Sequence, residues 1–290
     1  MSKFAVASPF RFLTALVAVC CVTAAVSAQS PPAGPTAQAK PGTGPDPNAA
    51  LLAKASQLYY SSAKAGLKAF DCAVHPDWRT AILSATPGTA VAEGDPRVLM
   101  LKTVGITLHG RIMGASSLDW NQPSPTKPLD QDSLDLLDHM HGATERTLTG
   151  FMQFWSPFID GSVIPASSDG LEITHGEKGY TIHADQGGTS LTEILDNDMV
   201  MQQFNVVTGG AKIDFSPRYK STDQGLLVNG FAARIQGPSD PPEKAQQMRV
   251  AIDYQTVNGF PVPSRIGMEM VGAETLNFML DGCTVNPPAS

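Results

Sequence analysis

Eight residues between positions 134 and 158 restrict the folds open to this chain more than any other feature. Leu134, Leu137, His141, Thr144, Leu148, Phe151, Trp155 and Phe158 recur at alternating steps of three and four, which on an α-helix places all eight on one stripe. The helix is predicted to start at Asp132 or Ser133, because Asp132 and Asp135 favour the positive end of a helix, and to stop at Pro157. Gly142 and Gly150 inside it cost about 1 kcal/mol each against alanine, so tertiary packing must hold it. A single stripe over some six turns needs a broad apolar surface to lie against.

The remaining sequence supplies such a surface as β-structure. Asn48 is expected to cap a first helix carrying Leu51, Leu52, Ala55, Leu58 and Tyr59, with Gly66 at its fraying end. Phe70, Cys72 and Val74 alternate with polar or small residues as in a half-buried strand. A short helix over Asp77 to Ala85 is stopped by Pro87, and a strand runs from Thr103 to Met113. The segment from Asn121 to Pro128 reads as turn. From Gly170 onward the pattern is β: a hairpin about Gly176-Glu177-Lys178-Gly179, then Thr189 to Leu195 and Met199 to Val207 about Asp196-Asn197-Asp198. Ser190 and Glu193 also fit a capping box, which leaves a short helix open there. Strands follow around Ala211 to Phe215 and Leu226 to Ile235. Met248 to Val257 and the run through Ile266, Met268 and Met270 form a hairpin about Asn258-Gly259, with Pro261 and Pro263 marking an edge or a bulge. Leu276 to Val285 closes the sheet. The fold class is therefore α+β, a curved antiparallel meander of seven to nine strands forming a half-open barrel, its concave face covered by the long amphipathic helix.

The N-terminus sets the compartment. Lys3 and Arg11 precede the apolar run Phe12 to Val22, and Val26-Ser27-Ala28 is a small-x-small site, the layout of a cleaved leader over 1–28. An uncleaved anchor and a lipidated Cys20 or Cys21 are the competing readings. Residues 29–47, dense in Pro and Gly, form a disordered spacer. One domain follows over 48–286, with 287–290 as a tail. Losing Lys3 and Arg11, and no acids, moves the formal charge from −7 to −9. That balance argues against nucleic acid and anionic membrane surfaces. The mature chain is expected in the periplasm or outside the cell, with no transmembrane segment. Its two remaining cysteines, Cys72 and Cys283, are expected to form a disulfide, the alternative being two separately buried thiols.

A resemblance is carried by the order of leader, spacer, short helix, long helix and meander. It rests on Ser216-Pro217-Arg218-Tyr219 followed by Gly225-Leu226-Leu227-Val228, and on the run from Asp253-Tyr254-Gln255 through Val257-Asn258-Gly259-Phe260 to Pro263. Over about Gly170 to Val285 the chain resembles the periplasmic lipoprotein-carrier (LolA-like) superfamily. The resemblance implies a half-open barrel lidded by helices over an apolar cavity, with a lipid or acyl chain as cargo.

Reactive motifs are absent: there is no Gly-x-Ser-x-Gly, His-Glu-x-x-His, phosphate-binding Gly-rich loop or Cys-x-x-Cys. The protein is accordingly read as no enzyme, with no cofactor. On a helix His139 and His141 point about 200° apart, so no metal site is assigned. His175 and His183 flank a turn and either face each other or sit apart on the surface. The candidate ligand cavity comprises Leu137, His141, Thr144, Leu148, Phe151, Trp155 and Phe158, in which His141 and Thr144 make structural hydrogen bonds or orient a ligand head; Phe151, Phe154, Trp155 and Phe158 also read as ordinary core. Methionines 199, 201, 268, 270 and 279 suit a loose core or an adaptable cavity. The expected function is binding or carriage of a lipid or other apolar ligand in the cell envelope. The alternative is an envelope protein-interaction or sensor module using the same groove or a sheet edge.

Overall fold

The computed structural model describes residues 46–85, 90–112, 114–122, 129–160, 163–270 and 274–287. The leader with its cleavage site, Cys20 and Cys21, nearly all of the spacer, Pro87, the prolines within 123–128 and most of the tail lie outside these residues. In chain order the helices are α1 (Pro47–Ser56), α2 (Ser62–Ala65), α3 (Trp78–Ala85), α4 (Pro96–Leu101) and α5 (Gln131–Asp160). The strands are β1 (Ala69–Pro76), β2 (Gly105–Arg111), β3 (Ser117–Asn121), β4 (Leu171–Gly176), β5 (Gly179–Gln186), β6 (Thr189–Leu195), β7 (Met201–Thr208), β8 (Ala211–Thr222), β9 (Gly225–Gln236), β10 (Gln246–Val257), β11 (Phe260–Met270) and β12 (Leu276–Val285). The class is α+β with antiparallel strand pairing and one long helix. The residues fall into two compact units.

The first unit combines Ser62–Ser156 with the chain from Met248 onward. Its strands run in the order β3-β2-β1-β12-β11-β10. Phe70, Cys72 and Val74 bury alternate positions of β1, as the alternation predicts. Opposite Phe70 in the register stands Gly110, and a Cβ there would lie 2.4 Å from the Phe70 ring. The bare glycine thus leaves room for the Phe70 ring against β2. The disulfide joins Cys72 to Cys283 with their Cα atoms 4.2 Å apart, at the irregularity where β12 places two residues opposite one of β1. The turn from β10 to β11 has Asn258 at φ 50° and Gly259 at φ 86°, the left-handed pair that a tight hairpin requires.

Of α5, the part up to Ser156 packs within this unit. The Trp155 ring meets Phe70 edge-on, with ring centroids 5.9 Å apart, and donates its indole N–H to Tyr254 Oη at 2.7 Å. Ser156 donates to the Arg111 carbonyl. The helix therefore covers one face of these strands.

The second unit comprises the described residues up to Ser61 together with Pro157–Gln247. Its strands form the meander β9-β8-β7-β6-β5-β4. Directly opposed residues in neighbouring strands share a face, and one cross-strand row reads Ile173, Ile182, Glu193, Phe204, Phe215, Ala233. The chain after α1 docks on β9: Tyr60 N–H donates to the Leu226 carbonyl at 2.9 Å and Leu226 N–H to that of Leu58 at 2.7 Å. Gly225 allows this approach, since a Cβ there would lie 2.8 Å from the Leu58 carbonyl oxygen.

Several expectations are corrected. Asp46, not Asn48, caps α1: its carboxylate accepts from Asn48 N–H at 3.0 Å, with Pro47 in the first turn, where a missing N–H costs nothing. Leu58 and Tyr59 lie beyond the helix. Pro157 sits inside α5 instead of ending it. The carbonyl it deprives of a partner belongs to exposed Gln153, and the buried Phe158 and Ile159 hold the next turn in place. Helix α4 and strand β3 were not anticipated: α4 is too short for periodicity to register, and β3 joins a turn-rich run. Strand β8 continues through Pro217 to Thr222, past the predicted end at Phe215. Met199 to Val207 loses its first two residues to the turn, Met199 having φ 65°. Strand β11 lies between β10 and β12 and is no edge. Its prolines are tolerated near a bulge at Asp253/Tyr254 and beyond the residues paired with β12. Residues 189–195 form the strand that the hairpin reading predicts, not the alternative helix.

Candidate functional site

The predicted stripe divides between the two units. Leu137, Thr144, Leu148, Phe151 and Trp155 are buried in the first, and Phe158 is buried in the second. Leu134, the first member, is 44% exposed. Phe151 stacks on Trp155 with centroids 6.0 Å apart. His141, half-buried, lies 4.8 Å from the Trp120 ring in a stacked arrangement, and Trp120 in turn meets Trp78 edge-on. The buried face is wider than one stripe, since Met140, Ala143, Thr147, Met152 and Phe154 are also buried. His175 and His183 do not face each other: the register sets His175 against Tyr180 and His183 against Glu172. His183 instead contacts Thr192 and Asp185.

A polar cluster that the sequence reading missed lies within the second unit. Glu193 is 1% exposed, in the middle of the apolar row formed with Ile182, Phe204 and Phe215. Its Oε2 has no hydrogen-bond partner in the protein. Tyr59 reaches the same region from the segment after α1. Its hydroxyl accepts from Met201 N–H at 2.7 Å and donates to the Met199 carbonyl at 3.4 Å. Tyr219 packs edge-on against it, centroids 5.3 Å apart, and the Tyr219 hydroxyl, directed toward that of Tyr59, lacks a well-aligned bond of its own. Beside Tyr219 the β8–β9 register skips one residue, Asn229, whose buried amide oxygen is also unpartnered.

Electrostatics fixes the charge state favoured here. Burial pushes the Glu193 carboxyl well above the usual carboxylate range. Burial likewise lifts Tyr59 to about 12, against the opposing Met201 hydrogen bond, with Glu193 and Asp196 adding to the rise. Tyr219 is raised by burial and then by Tyr59 and Glu193. The uncharged forms are thus the stable ones: one carboxylic acid and two phenols on an apolar face. An unpartnered buried polar atom costs about 1 to 3 kcal/mol. The cluster therefore has unspent hydrogen-bonding capacity that only a further polar group would satisfy. Read as a strand, Thr189 to Leu195 places Glu193 in phase with Leu191 and Leu195, a carboxyl on the inward phase. That signal is present in the sequence, where the segment reads as a strand, but Glu193 is singled out there only for the alternative capping box.

A second ionisable cluster bridges β1, β2 and β3 in the first unit. His109 contacts Asp71 through Nδ1 and Asp119 through Nε2, each at 3.0 Å, and Arg111 donates to Asp71 at 3.1 Å. The Asp119 hydrogen bond raises the His109 pKa above 6.5, opposed by burial and aided by Asp71. Burial raises Asp71, but the bonds from His109 and Arg111 outweigh it and leave its pKa below 3.8. The folded state therefore holds the His109 proton more tightly than the unfolded chain does. That stabilisation is complete below about pH 6.5 and is lost as pH rises through the folded value, whereas the Asp71 contribution is present above 3.8 and lost on acidification. Because Asp119 is largely exposed, the His109 effect is expected to stay below about 1 kcal/mol. Urea midpoints should fall between about pH 6 and pH 8 in the wild type and stay level over that interval in His109→Gln. Equal slopes in the two proteins would refute the assignment.

Among the described residues no group of three or more His, Cys, Asp or Glu is placed to hold a metal ion. Comparison with protein-family models, with curated proteins and with solved structures found no match to this chain.

Proposed function

We propose that this protein binds a lipid or another apolar ligand non-covalently in the cell envelope. The observation that carries the reading is Glu193, a fully buried carboxyl with an unpartnered oxygen in a cross-strand row otherwise made of Ile, Phe and Ala. Small-molecule sites combine an apolar lining with a few polar groups that fix orientation, and this face of the meander has that composition. Binding draws its free energy from desolvation, about 0.8 kcal/mol for each methylene buried. The LolA-like resemblance implies an apolar ligand-binding face of this kind. The leader-like N-terminus and the Cys72–Cys283 disulfide fit an exported protein, and no helix among the described residues is long and apolar enough to cross a membrane.

The test is native mass spectrometry of the full chain, exported and purified without detergent, with solvent extraction of the same sample. Bound lipid at near-stoichiometric occupancy is expected. Protein that carries none, and that also fails to take up the fluorescent apolar probe N-phenylnaphthylamine, overturns the reading and favours a protein-interaction module.

A further inference from the structure

We infer that Glu193, Tyr59 and Tyr219 form a head-group subsite that selects an uncharged, hydroxyl-bearing lipid, such as a long-chain alcohol or partial glyceride, over a carboxylate or an amine. This inference rests on the apolar-ligand reading above and adds the chemistry of the head.

The donors and acceptors left over define what fits. Glu193 Oε2 is buried and unpartnered, and the buried Tyr219 hydroxyl leans on that of Tyr59 without a well-aligned bond, keeping an acceptor oxygen open, while the Tyr59 hydroxyl is already held by the backbone of Met199 and Met201. Tyr59 acts as a fixed wall, and the Glu193 carboxyl and the Tyr219 oxygen are the groups left for a head group to meet. A carboxylic acid presents one donor and further acceptors, and a phenol presents one donor and an acceptor. An alcohol, itself donor and acceptor, satisfies both at once. A carboxylate offers acceptors only and brings a negative charge onto a buried apolar face that already disfavours ionisation of Glu193 and Tyr59. An amine would enter as a cation and require Glu193 to ionise on a fully buried face, which burial opposes. The hydroxyl class is the one that matches without creating a buried charge.

The experiment displaces N-phenylnaphthylamine from the full chain near neutral pH with dodecanol, dodecanoate and dodecylamine, using wild type, Glu193→Gln and Glu193→Leu. Dodecanol is expected to bind about tenfold or more tightly than the other two. Glu193→Gln, which keeps a neutral donor and acceptor, should retain that order. Glu193→Leu should equalise dodecanol and dodecanoate while unfolding at the same or higher urea concentration, because an apolar side chain removes an unpartnered buried group. Equal binding of all three by the wild type, a preference for dodecanoate or dodecylamine, or an unchanged preference in Glu193→Leu overturns the inference and leaves the apolar-ligand reading standing. Failure of the probe and all three compounds to bind removes both.

Discussion

Trp155→Ala is expected to lose about 3 to 5 kcal/mol of folding stability, the usual cost of truncating a fully buried large aromatic. Trp155 has no exposed surface, touches Phe70 edge-on and Phe151 by stacking, and satisfies its indole N–H on Tyr254. Truncation would open a cavity between α5 and β1 and leave the Tyr254 hydroxyl without its donor. Trp155→Phe should fall in between, keeping part of the ring volume but not the hydrogen bond. Urea unfolding followed by far-UV circular dichroism measures both. A loss under about 1 kcal/mol for Trp155→Ala would mean that α5 is not held by this contact. Phe151→Ala, measured alongside, reports whether the helix face is solid core: the full packing loss is expected if it is, and a smaller one if the ring lines a ligand cavity, where partner atoms are already missing on one side.

Removing the disulfide should have an effect of similar size. The bridge spans 211 residues of sequence, so in loop-entropy terms its reduction frees a large part of the unfolded chain, worth about 2 to 5 kcal/mol. It also joins β1 to β12, and the Gln255 amide reaches the Cys283 sulfur at 3.2 Å, tying the bridge to β10. The double variant Cys72→Ala/Cys283→Ala should unfold at clearly lower urea than the oxidised wild type, and wild type in reductant should match it. Identical midpoints with and without reductant, with free thiols confirmed by titration, would refute a stabilising role.

Local sequence determined the long helix, the β1 alternation, the Asn258-Gly259 hairpin and the pairing of Cys72 with Cys283. Each rests on a signal contained in a short window or in a count: a 3-4 repeat, a period of two, a left-handed turn pair. Helix α4, strand β3 and the passage of α5 through Pro157 were not legible, because neighbouring side chains hold these segments against weak or contrary local preference. The candidate site divides in the same way. The burial of Leu148, Phe151 and Trp155 could be read from periodicity, but the Trp155 partners Phe70 and Tyr254 lie far off in sequence. Glu193 had a visible anomaly, a carboxyl on the inward phase of a strand, yet its meaning depended on Tyr59 and Tyr219 arriving from either side. Periodicity tells which side chains leave water. Only the tertiary structure decides which of them meet, because the free energy of a buried polar group is set by partners that the backbone brings from elsewhere in the chain.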